Sequence, residues 1–148
     1  MWDVTDTYGT RFAPASFTAG GLDTEPYALL WMHDRDAVLG TFTATEDERG
    51  LFIRGAWDDT SLGRDARARA RSGSAPGLSV GFSVLAVDPD DTDRFTQVRL
   101  VETSQIVARM ASVPGAAITA ARSGAPDPHD AARAARALLA LATVRARA

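Results

Sequence analysis

The chain reads as an α+β domain dominated by strands, a small antiparallel β-barrel with flanking helices. Three observations carry that reading. Apolar runs of strand length recur between Tyr27 and Val107, several of them alternating apolar and polar residues. Short acidic or glycine-containing turns separate these runs at hairpin spacing. Ala/Arg-rich stretches of helical character interrupt only twice. With 148 residues the chain has room for one core and is short for two. Residues 1–122 are assigned to the barrel, and 123–148 to a linker and a C-terminal helix that belongs to the same domain or to a subunit interface.

Taken in order, Tyr8-Gly9-Thr10 is a turn leading into a short extended piece and then Pro14-Ala15-Ser16-Phe17. Tyr27 to Met32 is a compact apolar strand that ends at His33-Asp34-Arg35-Asp36. Val38 to Thr45 alternates as a half-buried strand does. Glu46 to Gly50 is a hairpin loop whose glycine suits positive φ. Leu51 to Trp57 is the returning strand, with Leu51, Ile53 and Gly55 on one face and Phe52 and Arg54 on the other. Ser61 caps a helix running to Arg71, and Arg67, Arg69 and Arg71 on it form a solvated face. Leu78 to Val87 is a strand, Asp88 to Asp93 a polar turn, and Phe95 to Val107 a strand bent near Glu102. Ser112 to Thr119 has room for one more short strand. Ala131 to Ala146 is a helix whose stripe of Leu138, Leu139, Leu141 and Val144 is expected to pack on the barrel or on a second subunit.

Composition removes many chemistries. There is no cysteine, hence no disulfide framework, no thiolate nucleophile and no Cys-ligated metal. All 16 basic residues are arginine, so Schiff-base chemistry, a Ser–Lys dyad and a P-loop lysine are absent. A net charge of −3 argues against a nucleic-acid partner. No apolar run reaches the ~18–20 residues that span a bilayer, and the N-terminus lacks the pattern of a signal peptide, so no membrane role is expected and a cytoplasmic site is. Asp88, Asp90, Asp91 and Asp93 lack the glycine and glutamate of a calcium loop, and His33 with Asp34 and Asp36 has no second histidine nearby. No metal and no cofactor is expected.

What remains is a histidine and a serine. His33 lies at the end of a buried strand, where rigid backbone holds a side chain toward a cleft, whereas His129 lies at a solvated helix start. Without lysine or cysteine, the base of a neutral-pH reaction is a histidine or a carboxylate. Ser79 stands in Gly77-Leu-Ser-Val-Gly-Phe82, where small neighbours let a carbonyl group approach its hydroxyl. The string matches the G-x-S-x-G pattern, but the chain continues as strand after it, not as the helix a nucleophile elbow requires. On residues alone, both have structural readings too.

Their order in the chain resembles the prohead (capsid maturation) protease family of HK97-like phages. The resemblance runs from about Asp6 to Arg122: an Asp-x-x-Gly turn and Pro14-Ala-Ser-Phe17, then Leu30-Trp-Met-His-Asp34 and Leu39-Gly40, then Gly50-Leu51, Gly77-Leu-Ser-Val-Gly-Phe82 and Val101-Glu-Thr-Ser-Gln-Ile-Val107. It implies a fold similar to the herpesvirus assembly proteases. It also implies endoproteolysis of the major capsid protein or its scaffold-like segment, inside the immature capsid in the bacterial cytoplasm. Ser79 carries over as nucleophile and His33 as base, and the acid of the family's Glu-x-Ser segment falls on Glu102. Counted from the Asp88–Asp93 turn, Ser79 and Glu102 lie about nine residues away on either side, so the two can face each other across the ladder. Should Ser79 not react, Ser104 is the next serine to consider. The related viral enzymes make a homodimer an expectation. Two alternatives stand beside this reading: an inactive capsid-assembly scaffold or chaperone of the same fold, and an unrelated β-barrel binding module.

Overall fold

The computed structural model describes residues 1–121, which form one curled sheet with two helices. The strands are β1 (Arg11–Phe12), β2 (Tyr27–Trp31), β3 (Asp34–Asp47), β4 (Gly50–Trp57), β5 (Gly77–Asp88) and β6 (Asp91–Ile106). The helices are α1 (Ser16–Ala19) and α2 (Ser61–Ser72), and a 3₁₀ turn follows at Ala108–Met110. The predicted helix 131–146 and His129 lie outside the described residues. Among the described residues, no helix is long and apolar enough to cross a membrane.

The β-dominated α+β class holds, but the antiparallel barrel needs two corrections. The sheet is a half-barrel, and it is mixed. β2, β3 and β4 form an antiparallel meander, and β5 and β6 a long antiparallel hairpin. The two blocks join where β2 runs parallel to β6, with Leu29, Leu30 and Trp31 opposite Thr103, Ser104 and Gln105. β1 also runs parallel to β6, near its start. β6 can serve both neighbours because it is 16 residues long and offers one edge to β5 and the other to β1 and β2 in turn. Its parallel partners are far away in sequence, so local patterning could not reveal that pairing.

Local chemistry accounts for most boundaries. The Asp-x-x-Gly turn closes because Asp6 Oδ1 accepts from the Tyr8 and Thr10 amides, both at 2.9 Å, while Gly9 takes φ 86°. α2 starts one residue earlier than expected: Thr60 is its cap, its hydroxyl accepting from the Gly63 amide at 3.0 Å, and Gly73 ends it at φ 76°. Two acids of the β5–β6 turn find arginine partners. Arg94 holds Asp3 with two hydrogen bonds and reaches Asp88 at 3.1 Å, while Arg11 pairs with Asp91. The Arg94 guanidinium keeps the Asp3 carboxyl below its usual pKa. Of the arginine row on α2, Arg69 stacks over the Trp31 ring at 5.6 Å and is not merely solvated. Residues 112–119 form no strand. They contribute one bridge, Ala117 to Gly77, flanked by bonds from Leu78 N to Ala116 O and from Ile118 N to Pro76 O.

Alternation divides the sheet into two faces. The inner face carries the main core of Phe12, Phe17, Leu29, Leu39, Phe42, Val98 and Leu100, with Val80 and Phe82 packed against it. Gln105 lies on this side, fully buried, and its amide is fully used: Nε2 donates to Ala66 O at 2.7 Å and Ala75 O at 2.9 Å, and Oε1 accepts from Trp57 Nε1 at 2.9 Å. It thereby ties α2 and the end of β4 to β6. The outer face of the same strands carries Leu30, packed with Ala28 and Val38, and beside it the site described next.

Candidate active site

Ser79, His33 and Glu102 come together on the outer face, and each is delivered by a different device. Ser79 and Glu102 project from neighbouring strands because their positions share one parity of the β5–β6 ladder, the opposite of Val80 and Thr103. His33 comes from the tight turn between β2 and β3, where Trp31 pairs with Asp34 and leaves only Met32 and His33 as the loop. Both loop residues have positive φ, 53° and 63°. That is the backbone of a two-residue primed hairpin turn, here without the Asn-Gly or Asp-Gly that normally supports one. The turn is tied down from β6: the Met32 amide donates to Gln105 O at 3.2 Å and the His33 amide to Ser104 Oγ at 2.9 Å.

The three side chains form a hydrogen-bonded row. His33 Nδ1 lies 2.6 Å from Glu102 Oε1, and His33 Nε2 lies 2.9 Å from Ser79 Oγ. An ionised carboxylate only accepts, so the ring proton belongs on Nδ1 and leaves Nε2 free to accept from the serine hydroxyl. Glu102 is buried at 5% exposure, His33 in the middle of the row is the most exposed, its side chain at 45%, and Ser79 is half-buried.

The predicted facing of Ser79 and Glu102 is corrected in register. Ser79 stands opposite Ser104, and Glu102 stands opposite Gly81. Irregularities between Val84 and Asp88 and again at Gly81 shift the ladder, which an even count from the turn does not anticipate. The last of them falls beside Glu102, where a bend was expected. Gly81 proves essential to the geometry: a Cβ there would lie 2.3 Å from Glu102 Oε1. Its missing side chain is the space through which the carboxylate crosses toward His33. Ser104 is fully buried, with its hydroxyl donating to Glu102 Oε2 at 2.8 Å, so it is no substitute nucleophile. Asp34 is turned to local use, accepting from the Asp36 amide at 2.9 Å. Among the described residues, no cluster of His, Asp and Glu has the makings of a metal site.

A cavity of about 1100 Å³ opens on the inner face, lined by Leu29, Phe42, Val80, Phe82 and Thr103 among others. It touches Ser79 at the sheet edge, but His33 and Glu102 do not line it.

A serine, an imidazole and a buried carboxylate in series are the working parts of a serine hydrolase. The family model for the caudovirus prohead serine protease matches residues 1–126, and the chain belongs to that family. Membership makes it a serine peptidase in general terms. No curated protein matches the chain.

Proposed function

We propose that the protein is the endopeptidase of prohead maturation, cutting the major capsid protein or its scaffold-like segment, with Ser79 as nucleophile, His33 as base and Glu102 as the acid that orients the base. The observation that carries this reading is the continuous row Glu102–His33–Ser79, with contacts of 2.6 and 2.9 Å. Ser79 Oγ attacks the scissile carbonyl as His33 Nε2 takes its proton, and the imidazolium formed is stabilised by Glu102. His33 then protonates the leaving amine, and water, activated by the same nitrogen, releases the acyl group from Ser79. The work would take place inside the immature capsid in the host cytoplasm. Similarity to the herpesvirus assembly proteases and pairing into a homodimer belong to the same proposal.

Co-expression with a candidate capsid gene tests it, read by mass spectrometry of the capsid subunit's N-terminus. A trimmed N-terminus with the native chain and an untrimmed one with Ser79→Ala is the expected result. Equal trimming by the variant would remove Ser79 from the reaction. Absence of trimming, together with no labelling of the native chain by a fluorophosphonate serine probe, would favour an inactive assembly scaffold instead.

A further inference from the structure

We infer that Ser104 is a positioning residue that holds both the backbone and the ring of His33 through one hydroxyl. The inference rests on the reading of His33 as base and Glu102 as its acid. Ser104 Oγ has one proton and two lone pairs. The proton goes to Glu102 Oε2 at 2.8 Å, and a lone pair accepts the His33 amide at 2.9 Å. The other oxygen of the same carboxylate meets His33 Nδ1 at 2.6 Å. A closed loop results: Ser104 to Glu102, Glu102 to the imidazole, and the imidazole's own backbone back to Ser104.

Three features make this more than a satisfied hydroxyl. First, the Met32–His33 turn contains two non-glycine residues at positive φ, a conformation its own sequence does not favour. Ser104 supplies one of the two amide anchors that hold it. Second, Ser104 is 0% exposed, so no bulk water stands ready to replace its bonds. Removal leaves a buried carboxylate oxygen and a backbone N–H without that partner. Third, burial alone does not place hydroxyls in this protein. Ser16 Oγ and Thr103 Oγ1 are equally buried and have no partner among the described residues. Ser104 is placed because Ser79 on the facing strand sets the ladder position, and two residues along β6 the acid lies over Gly81.

The test uses the full chain and a fluorophosphonate probe, followed by labelling rate against probe concentration. Ser104→Ala and the size-matched Ser104→Cys are expected to lower the maximal labelling rate by about ten- to a hundredfold, with the half-saturating concentration unchanged. The cysteine variant leaves no cavity and keeps a weak S–H donor, so its melting temperature should fall less than that of Ser104→Ala. In a Glu102→Gln background, Ser104→Ala is expected to cost much less than in the native chain, because only the anchor on the His33 amide is then left to lose. The low-field proton resonance of an imidazole N–H held on a carboxylate should be present in the native chain and lost or broadened in Ser104→Ala. Native labelling rates in both Ser104 variants, or losses that add to that of Glu102→Gln, would overturn the inference. Failure of the underlying reading looks different: the native chain goes unlabelled, or Ser79→Ala labels as well as it does. The resonance needs no turnover, so in that case its survival in Ser104→Ala decides against Ser104 by itself.

Discussion

Three two-residue turns join the strands of this sheet, and they are held in two different ways. Glu48–Arg49 and Pro89–Asp90 are made locally: Asp47 Oδ1 accepts from the Arg49 amide at 2.8 Å and the Gly50 amide at 3.2 Å, and Asp88 Oδ1 accepts from the Asp90 amide at 3.0 Å. None of those four loop residues has positive φ. Met32–His33 is the reverse, with both residues left-handed and their amides bound to a strand some seventy positions away. A turn that only reverses the chain can be written in three or four neighbouring residues. A turn that must aim an imidazole takes its shape from the rest of the fold, and strain collects there.

The comparison predicts that a change at the site turn can spare the fold and destroy the chemistry. His33→Asn is the sharpest case, because asparagine tolerates the left-handed region and keeps the amide bond to Ser104. Fluorophosphonate labelling should fall by about four to six orders of magnitude, as loss of a triad base does, while the melting temperature stays close to native. Labelling at a native rate would remove His33 from the role proposed for it. Gly81→Ala approaches the same turn from the opposite side, since the new methyl would overlap Glu102 Oε1. If the carboxylate is displaced by an ångström or so, labelling should fall about a hundredfold. A native rate would show that Glu102 has another way to reach His33.

The same contrast explains what the sequence could and could not disclose. The self-contained turns were legible, because Asp6-x-x-Gly9, the acidic stretch at 46–50 and the one at 88–93 carry their own signals. Strand positions were legible too, and β4 shows the expected faces, with Phe52 and Arg54 exposed and Leu51 and Ile53 partly buried. His33, Ser79 and Glu102 were reached through a resemblance, and the structure brings all three together. Gly81, Ser104 and Gln105 were missed as partners of the site or the core. Each acts through a register that long-range parallel pairing and bulges set, which residue spacing does not encode. A usable signal did exist in alternation: Glu102 and Ser104 share one parity on β6, and Thr103 and Gln105 the other. The parallel β2–β6 contact leaves no such trace, and the hairpin spacing of the turns suggests an antiparallel barrel instead.

A smaller effect is expected at a local turn, and it should be one of stability alone. Asp47 accepts from two amides and from the Arg49 guanidinium, and those bonds hold its carboxyl below the usual carboxylate pKa. A depressed folded-state pKa contributes stability that is complete above the unfolded value, ~3.9, and is lost as pH falls through the folded value. Asp47→Ala should therefore lower the melting temperature at neutral pH, with a gap that narrows as acid protonates the native carboxyl. Probe labelling at neutral pH should be unchanged. A gap that stays constant down to strongly acidic pH would mean that the charge of Asp47 contributes nothing.

The smallest effect is also the most direct measure of strain, because it turns on sign. Met32 takes φ 53° without glycine's freedom, and left-handed backbone costs an ordinary residue about 1–2 kcal/mol. Met32→Gly removes that cost but gives the unfolded chain more freedom, worth roughly 0.5–1 kcal/mol in the opposite direction. The methionine side chain is partly buried, and its loss takes a further share. What remains is a gain of about half a kcal/mol, or a rise of roughly 1–2 °C in melting temperature. Glu48→Gly supplies the control, since Glu48 has no positive φ to relieve and only the entropic cost applies. It should lower the melting temperature by a similar amount. The two glycine substitutions, each in a two-residue turn, are thus expected to move stability in opposite directions. Labelling by the probe should stay within about twofold in Met32→Gly, because the His33 amide keeps its bond to Ser104 and the ring its contact with Glu102. If both variants lose stability equally, the Met32 side chain contributes more through packing than its backbone costs, and the site turn is no more strained than the others.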